Sequence, residues 1–386
     1  MEGPVSAPAE ALVDLDAYRA NLARLREAAP NAAQMAVVKA DAYGHGAIEV
    51  SAAAREAGAE WLGVATIEEA RTLRRAGDTG PLLAWLNPAG ADLAPAIDAG
   101  VDMAAGSVEQ LDAVLAASAS ARPRVHLKVD TGMARGGVRG AELTALLDAA
   151  AAAQRAGRIE IAGIFSHFAC ADEPASPVNG AQEHAFTEAV DELSSFDVER
   201  PLRHLANSAA ALTRPSAHLD AVRVGIASYG LSPGPALGTP AQLGLTPVMT
   251  LRTALALVRR VPPGTGVSYG HTYVTKRETT LGLIPVGYGD GILRAASNRA
   301  SALVNGELVP VAGRVCMDQI VLDLGDTPAS RGEEVVLFGS GRRGEPLAED
   351  WAEAASTIGY EVVTRLGGRI ARRHVGAIPK TTGSGG

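Results

Sequence analysis

Cysteine is nearly absent. Cys170 and Cys316 stand far apart in 386 residues, which excludes a disulfide framework and a cysteine-rich metal site and fits a reducing compartment. No apolar run approaches the ~20 residues that a membrane span needs, so no membrane partner is expected. Lys and Arg number 35 against 43 Asp and Glu, and the arginines are scattered, so the basic footprint of a nucleic-acid binder is missing. The opening MEGPVSAPAEA has neither the basic start nor the apolar stretch of a secretion signal, and cytoplasmic residence is the expectation. No internal repeat is evident.

What is there is length and a regular alternation. A chain of 386 residues exceeds one ordinary hydrophobic core, so two domains are expected. From about residue 30 to 235, short β-branched runs alternate with alanine-rich stretches at helical spacing. Eight runs can be counted: AQMAVVKA, WLGVAT, LLAWL, VDMAAG, VHLKVD, IAGIFSH, LRHLANS and AVRVGIASYG. Thr66 with Glu69 and Ser107 with Gln110 form capping-box patterns ahead of two of the helices. Strand count and alternation predict an α/β fold, a (β/α)8 TIM-type barrel; the rival open sheet is weakened because no GxGxxG follows the first strand. After about residue 235, Thr, Val and Leu runs broken by Gly and Pro predict a mainly β C-terminal domain. The expected division is a flexible tail over 1–11, a barrel over 12–240 in which 12–15 joins the second domain, a β-rich domain over 241–378, and a flexible tail over 379–386. GLSPGPALGTPAQLG is the candidate connection.

Catalytic groups of a barrel collect at the C-terminal ends of its strands. Lys39 ends the first run, Lys128 and Asp130 the fifth, His167 the sixth, Asn207 and Ser208 the seventh, and Arg223 lies in the eighth. Two lysines, a histidine and an arginine at one mouth make a convergent charged site rather than a packing plug. For Lys128 the plain reading is an ion pair with Asp130. His45, His126, His218 and His271 lack metal-type partner spacing and read as structural, and nothing makes Cys170 a nucleophile.

The motifs VVKADAYGHG, KVDTGMARGG, HLANSAA and RVGIASYG, followed by GVSYGHTY, PVGYGDG, GRVCMDQ and TIGYEVVTRL, resemble those of the alanine racemases in order and spacing, from about Leu12 to about Arg372. The resemblance implies a pyridoxal phosphate (PLP) enzyme that interconverts L- and D-alanine. It gives Lys39 the covalent link to PLP and makes it one base, with Tyr269 as the other. Tyr43, Asn207, Ser208, Gly225, Ile226 and Tyr360 then hold the cofactor around its phosphate, and His167 and Arg223 complete the cofactor site. Arg135, Tyr288, Met317 and Asp318 fall near substrate, and Lys128 becomes a carbamylated support for Arg135. Tyr269 and the Met317 group belong to the second domain and reach a partner's site in the family, which implies a head-to-tail homodimer.

These residue types suit inversion at Cα. PLP makes the α-hydrogen acidic enough to remove, and inversion then needs a base on each face. An ordinary phenol, with a pKa of about 10, needs positive neighbours to serve as a base, and the resemblance supplies them through His167 and Arg223. Arginine opposite the pyridine nitrogen does not yield its proton, so the ring stays a weak electron sink that favours reprotonation over transamination. A serine or broad-specificity racemase remains open, since one hydroxyl is a small discrimination. A PLP decarboxylase of the same two-domain plan should lack the Tyr269 motif, and a PLP carrier made of the barrel alone would lack the second domain. Supply of D-alanine for peptidoglycan is the expected role.

Overall fold

The computed structural model describes residues 8–377 apart from Ser118 and Glu199. The expected C-terminal tail over 379–386 lies outside the described residues. Eight strands form the barrel: β2 (Ala33–Val37), β3 (Trp61–Thr66), β4 (Leu82–Leu86), β5 (Asp102–Ala105), β6 (Arg124–Lys128), β7 (Glu160–Phe165), β8 (Leu202–His204) and β9 (Ala221–Val224), after an N-terminal strand β1 (Ala9–Asp14). The barrel ladders are all parallel and run in chain order from β2 to β8, with β9 returning beside β2. Asp220 N donates to Arg203 O at 3.1 Å and Arg223 N to Ala206 O at 2.9 Å, which brings β9 against the β8 segment.

Helices cover the barrel for the reasons their sequence gives. Over Ile67–Arg75, the Thr66 side chain accepts from Glu69 N while Glu69 accepts from Thr66 N, so both orphan amides of the first turn are satisfied. At Val108–Ala116, Ser107 accepts from Gln110 N, but the Gln110 side chain reaches one residue further, to Gly106 N at 2.7 Å. The helix Leu15–Ala28 buries Tyr18, Leu22 and Leu25 completely, the apolar stripe that its spacing predicts.

The second domain contains β10 (Met249–Ala254), β11 (Leu257–Val261), β12 (Gly266–Val267), β13 (Tyr273–Val274), β14 (Thr279–Ile284), β15 (Ser301–Val304), β16 (Glu307–Pro310), β17 (Ile320–Gly325), β18 (Glu334–Phe338) and β19 (Ile370–Val375). Its larger sheet has the order β16-β15-β18-β10-β1-β19. Residues 1–7 of the expected tail over 1–11 lie outside the described residues, and the rest needs correction: β1 begins at Ala9, antiparallel to β10 and parallel to β19. Burial explains the shift. Glu10 accepts from Arg252 and Arg373 inside the sheet, a carboxylate pairing that composition alone gives no reason to expect.

The Gly- and Pro-rich connection is pinned rather than loose. Asn21, buried, donates to Ser228 O and Thr246 O and accepts from Thr246 N at 2.8 Å. Gly230, at φ +77°, lies so close to Thr246 that a Cβ would stand 1.8 Å from its carbonyl oxygen, so only glycine fits. Replacing Asn21 with Ala would strand the Thr246 amide and carbonyl, at a cost of about 2–4 kcal/mol. Urea unfolding measures this, and a loss below about 0.5 kcal/mol would show that the joint does not depend on Asn21.

Candidate active site

The barrel mouth encloses a cavity of about 300 Å³ lined by Lys39, Tyr43, Trp85, Lys128, Arg135, Phe165, His167, Asn207, Ser208, Arg223, Gly225, Ile226 and Tyr360. Lys39 follows β2 after one residue, Val38, and opens an unusual turn: Ala40, Asp41, Ala42 and Tyr43 all have φ near +53°, one turn of left-handed helix in residues other than glycine. Such backbone costs roughly 1–2 kcal/mol per residue, so its surroundings must hold it. They do so from three sides. Glu69 accepts from Ala40 N at 2.7 Å, Arg372 donates to Gly44 O at 2.7 Å, and the buried His45 ring bonds back to Ala42 O and Tyr43 O. The second domain closes the turn: a Cβ on Gly44 would stand 2.4 Å from Val363 O in the helix Gly359–Thr364, which also carries Tyr360.

Electrostatics at the mouth are those of crowded cations. Burial, then Arg135 and Arg223, hold the Lys39 amine below the ordinary lysine range, with Glu69 opposing. Lys128 is lowered in the same way by burial, Arg135 and Arg223, with Asp130 opposing. The plain ion pair expected between Lys128 and Asp130 is not formed. Asp130 instead accepts from the amides of Gly132, Met133 and Ala134 at 3.0–3.1 Å, because a carboxylate at the start of a turn has that turn's own amides within reach. That turn carries Arg135 to the cavity.

Arg223 is buried, and burial with Arg135 pushes it down to about 9. Its Nη1 donates to His204 O at 2.6 Å and His204 Nδ1 at 3.0 Å; its Nη2 donates to Ser166 O, Leu205 O and His167 Nδ1 at 2.7, 3.1 and 3.2 Å. These acceptors occupy both terminal nitrogens, so among the described residues Nε–H is the donor left over. Because guanidinium only donates, His167 Nδ1 must accept, and the neutral ring carries its proton on Nε2. Burial, then Arg223 and Arg135, keep His167 well below its ordinary value, in agreement with that neutral form.

The other end of the cavity suits a phosphate. Asn207 is the N-cap of the helix Ser208–Thr213, its side chain accepting from Ala210 N at 3.1 Å. Ser208 Oγ accepts from Gly225 N at 2.8 Å, and a Cβ at Gly225 would meet the Tyr43 hydroxyl at 2.5 Å, so a glycine is needed for that phenol to enter. Burial raises the Tyr43 and Tyr360 phenols, which keeps both as neutral donors.

Tyr269, Tyr288, Met317 and Asp318 do not join this group. They line a separate, open cavity of about 700 Å³ on the second domain. Tyr269 is 71% exposed although its turn is firmly built: Ser268 has φ +60°, its Oγ donates to Arg314 O at 2.7 Å, and Gly270 has φ +72°. Tyr288 N donates to Cys316 O, Gly289 N to Met317 O, and Arg369 ties Asp318 to Asp290 at 2.8 Å from each. Sequence reasoning missed Trp85 and Phe165 as cavity walls, although each sits near the end of a counted strand. It also missed the path from Arg223 through His204 to His126, since inward-facing strand histidines carry no spacing signal.

A parallel barrel with a lowered lysine amine, a cradle of neutral hydroxyls and a trapped arginine at its mouth, backed by a β domain, defines an enzyme of amine and carbonyl chemistry. The alanine racemase N-terminal domain model matches residues 13–233 and the alanine racemase C-terminal domain model matches 248–374. The alanine racemase of Thermobifida fusca is 51% identical over 376 residues, spanning 97% of this chain and all of that protein. That of Streptomyces coelicolor is 51% identical over 374 residues, spanning 95% and 96%. The crystal structure of alanine racemase from D-cycloserine producing Streptomyces lavendulae superposes with a TM-score of 0.96 at 50% identity, over 98% of this chain and 100% of that one. That of Bacillus anthracis with bound L-Ala-P gives 0.88 at 35% identity, over 97% and 96%. The chain belongs to the alanine racemase family, a PLP-dependent racemase and so an isomerase. No helix among the described residues is long and apolar enough to cross a membrane.

Burial pushes His45 down to about 4 and holds His167 and His204 lower than usual as well. The unfolded chain binds the extra protons, so the stability tied to these rings is whole above about pH 6.5 and is lost as pH falls below it. Unfolding free energy should therefore drop between pH 7.5 and pH 5, and His45→Asn should reduce that drop by about 2 kcal/mol. An equal drop in the variant would contradict a neutral buried His45.

Proposed function

We propose that the chain interconverts L- and D-alanine by a two-base mechanism, with Lys39 acting on one face of Cα and Tyr269 of a partner subunit on the other. The observation that carries the reading is the Lys39 amine: half-buried, lowered by that burial and by Arg135 and Arg223, and set between a hydroxyl cradle and a guanidinium. Lowering the pKa raises the share of free amine, the form that acts as nucleophile and as base.

Tyr43, Ser208, Gly225, Ile226 and Tyr360, with Asn207 behind them, would hold the phosphate of PLP, and Arg223 Nε would face the ring nitrogen. The fit rests on the cradle itself, which offers neutral donors and a glycine without a Cβ at one end and a cation at the other. When bound, PLP supplies a conjugated ring that takes up the negative charge left at Cα. Lys39 Nζ then takes or returns the proton on its face, and the Tyr269 hydroxyl does so on the opposite face. His167 Nε2–H is the group that receives Tyr269, passing its charge toward Arg223. Arg135 binds the substrate carboxylate through its planar fork, and Met317, Tyr288 and Asp318 of the partner subunit close over a small side chain.

A head-to-tail homodimer is part of this reading. What supports it is an exposed tyrosine on a rigid turn beside an open cavity, with exposed Met317 and Tyr288 around it. Provision of D-alanine for peptidoglycan from the cytoplasm is the role that fits the activity.

PLP-loaded protein incubated with L-alanine in heavy water tests the whole reading: D-alanine labelled at Cα is expected, and carbon dioxide in its place would mean a decarboxylase. Lys39→Ala and Tyr269→Phe chains should each be nearly inactive. Refolded together, they should recover about a quarter of wild-type activity, because half the dimers are hybrids and each hybrid holds one intact site. No recovery would place both bases in one chain. Lys128, lowered by its surroundings, is the amine that adds carbon dioxide, giving an anion beside Arg135. Growth with ¹³C-bicarbonate should then show one carbamate carbon that Lys128→Ala removes; an unchanged signal would assign it elsewhere.

A further inference from the structure

Two buried histidines unused by the proposed chemistry lie end to end beneath Arg223. Arg223 Nη1 donates to His204 Nδ1 at 3.0 Å, His204 Nε2 meets His126 Nδ1 at 2.9 Å, and His126 Nε2 meets Asp102 Oδ2 at 3.1 Å. Arg223 lies in β9, His204 ends β8, His126 is central in β6 and Asp102 opens β5. In a parallel barrel that order runs from near the mouth to the opposite rim. There Arg124 holds Asp102 at 3.0 Å and also pairs with Glu160. Both rings are wholly buried, and Asp102 is nearly so.

The chain has one possible direction. Guanidinium cannot accept, so His204 Nδ1 accepts and its proton sits on Nε2. That proton is donated to His126 Nδ1, which leaves His126 protonated on Nε2 and donating to the Asp102 carboxylate. A cationic His126 would donate from both nitrogens and would leave His204 no neutral form that fits. Both rings are therefore neutral and both are Nε2–H tautomers.

Room has been made for this arrangement. A Cβ on Gly163 in β7 would stand 2.3 Å from His126 Nδ1, and this glycine has no left-handed backbone to explain it. Phe165 stacks on His204 at 4.9 Å and 4°, and Trp61 meets His126 edge-on at 5.5 Å. Neither ring can turn without losing a bond.

We propose that Asp102 is a positioning residue for Arg223, acting through His126 and His204 to orient a buried cation that has no carboxylate bonded to it among the described residues. Its negative charge strengthens each acceptor in turn, so the guanidinium gains a well-aligned partner while no acid approaches the site that faces the cofactor. A carboxylate placed directly on Arg223 would occupy its terminal nitrogens and fill the cation-lined mouth with negative charge. Two imidazoles deliver the effect from the far rim without either consequence. The positioning role rests on the racemase reading; the bond directions do not.

Two measurements separate these levels. In cofactor-free protein labelled with ¹⁵N-histidine, His126 and His204 should both show an acceptor-type Nδ1 and a protonated Nε2. A protonated Nδ1 on either ring, or a cationic ring, would overturn the chain of bonds whatever the protein catalyses. In the PLP-loaded enzyme, Asp102→Asn should lower kcat by about tenfold and change KM for alanine by less than about twofold, since a support for a site residue is worth that much elsewhere. The His204 resonances should move with those of His126, and Asp102→Glu should restore part of the rate. Unmoved His204 resonances, an unchanged kcat, or an effect on KM alone would refute the role. Should Asp102→Asn fail to fold, Gly163→Ala, which displaces the His126 ring, is read by the same signals.

Discussion

A half-buried amine crowded by cations is the condition on which the rest of this site depends. Lys39 can act near neutral pH only if its charged form is disfavoured, and three features bring that about: burial at the end of β2, Arg135 from the turn after β6, and Arg223 from β9. None of these side chains could be placed by its own segment. Asp130 spends its carboxylate on three amides so that the turn presents Arg135, and the left-handed turn after Lys39 is held by Glu69, His45 and Arg372. The unfavourable backbone of Ala40–Tyr43 joins Lys39 and Tyr43, which line one cavity.

The two domains are bound to each other through that turn. Gly44 packs on the backbone of Val363, Arg372 donates to Gly44 O and His374 to His45 O, while β1 is woven between β10 and β19. Tyr360 can therefore reach the barrel cavity from the second domain of the same chain. Tyr269 belongs to the same domain and yet lies outside that cavity, on a surface built as firmly as the mouth itself. In the proposed dimer that exposed phenol is what the partner subunit would meet.

Much of this could be read in the sequence, for identifiable reasons. Barrel strands carry alternating β-branched runs, so their ends are visible, and Lys39, Lys128, His167, Ser208 and Arg223 gather at one mouth because strand ends do. Capping at Thr66 was legible because both partners lie within one turn. What stayed hidden involves partners far apart in the chain. Glu10 finds Arg252 and Arg373 across more than two hundred residues, which is why β1 begins earlier than its Pro- and Ala-rich composition suggests. Asp130 looked like a partner for Lys128 since they are two residues apart, but Asp130 lies past the end of β6, in a turn whose amides take its carboxylate. His126 looked structural because its partners, His204 and Asp102, come from other strands.

The central claim is that the Lys39 amine is driven below its ordinary range by burial and by Arg135. Reductive ¹³C-methylation of the cofactor-free protein, followed by NMR titration of the Lys39 signal, measures this directly. The account predicts a midpoint below that of an exposed lysine, moving upward in Arg135→Leu; an ordinary midpoint that ignores Arg135 would contradict it.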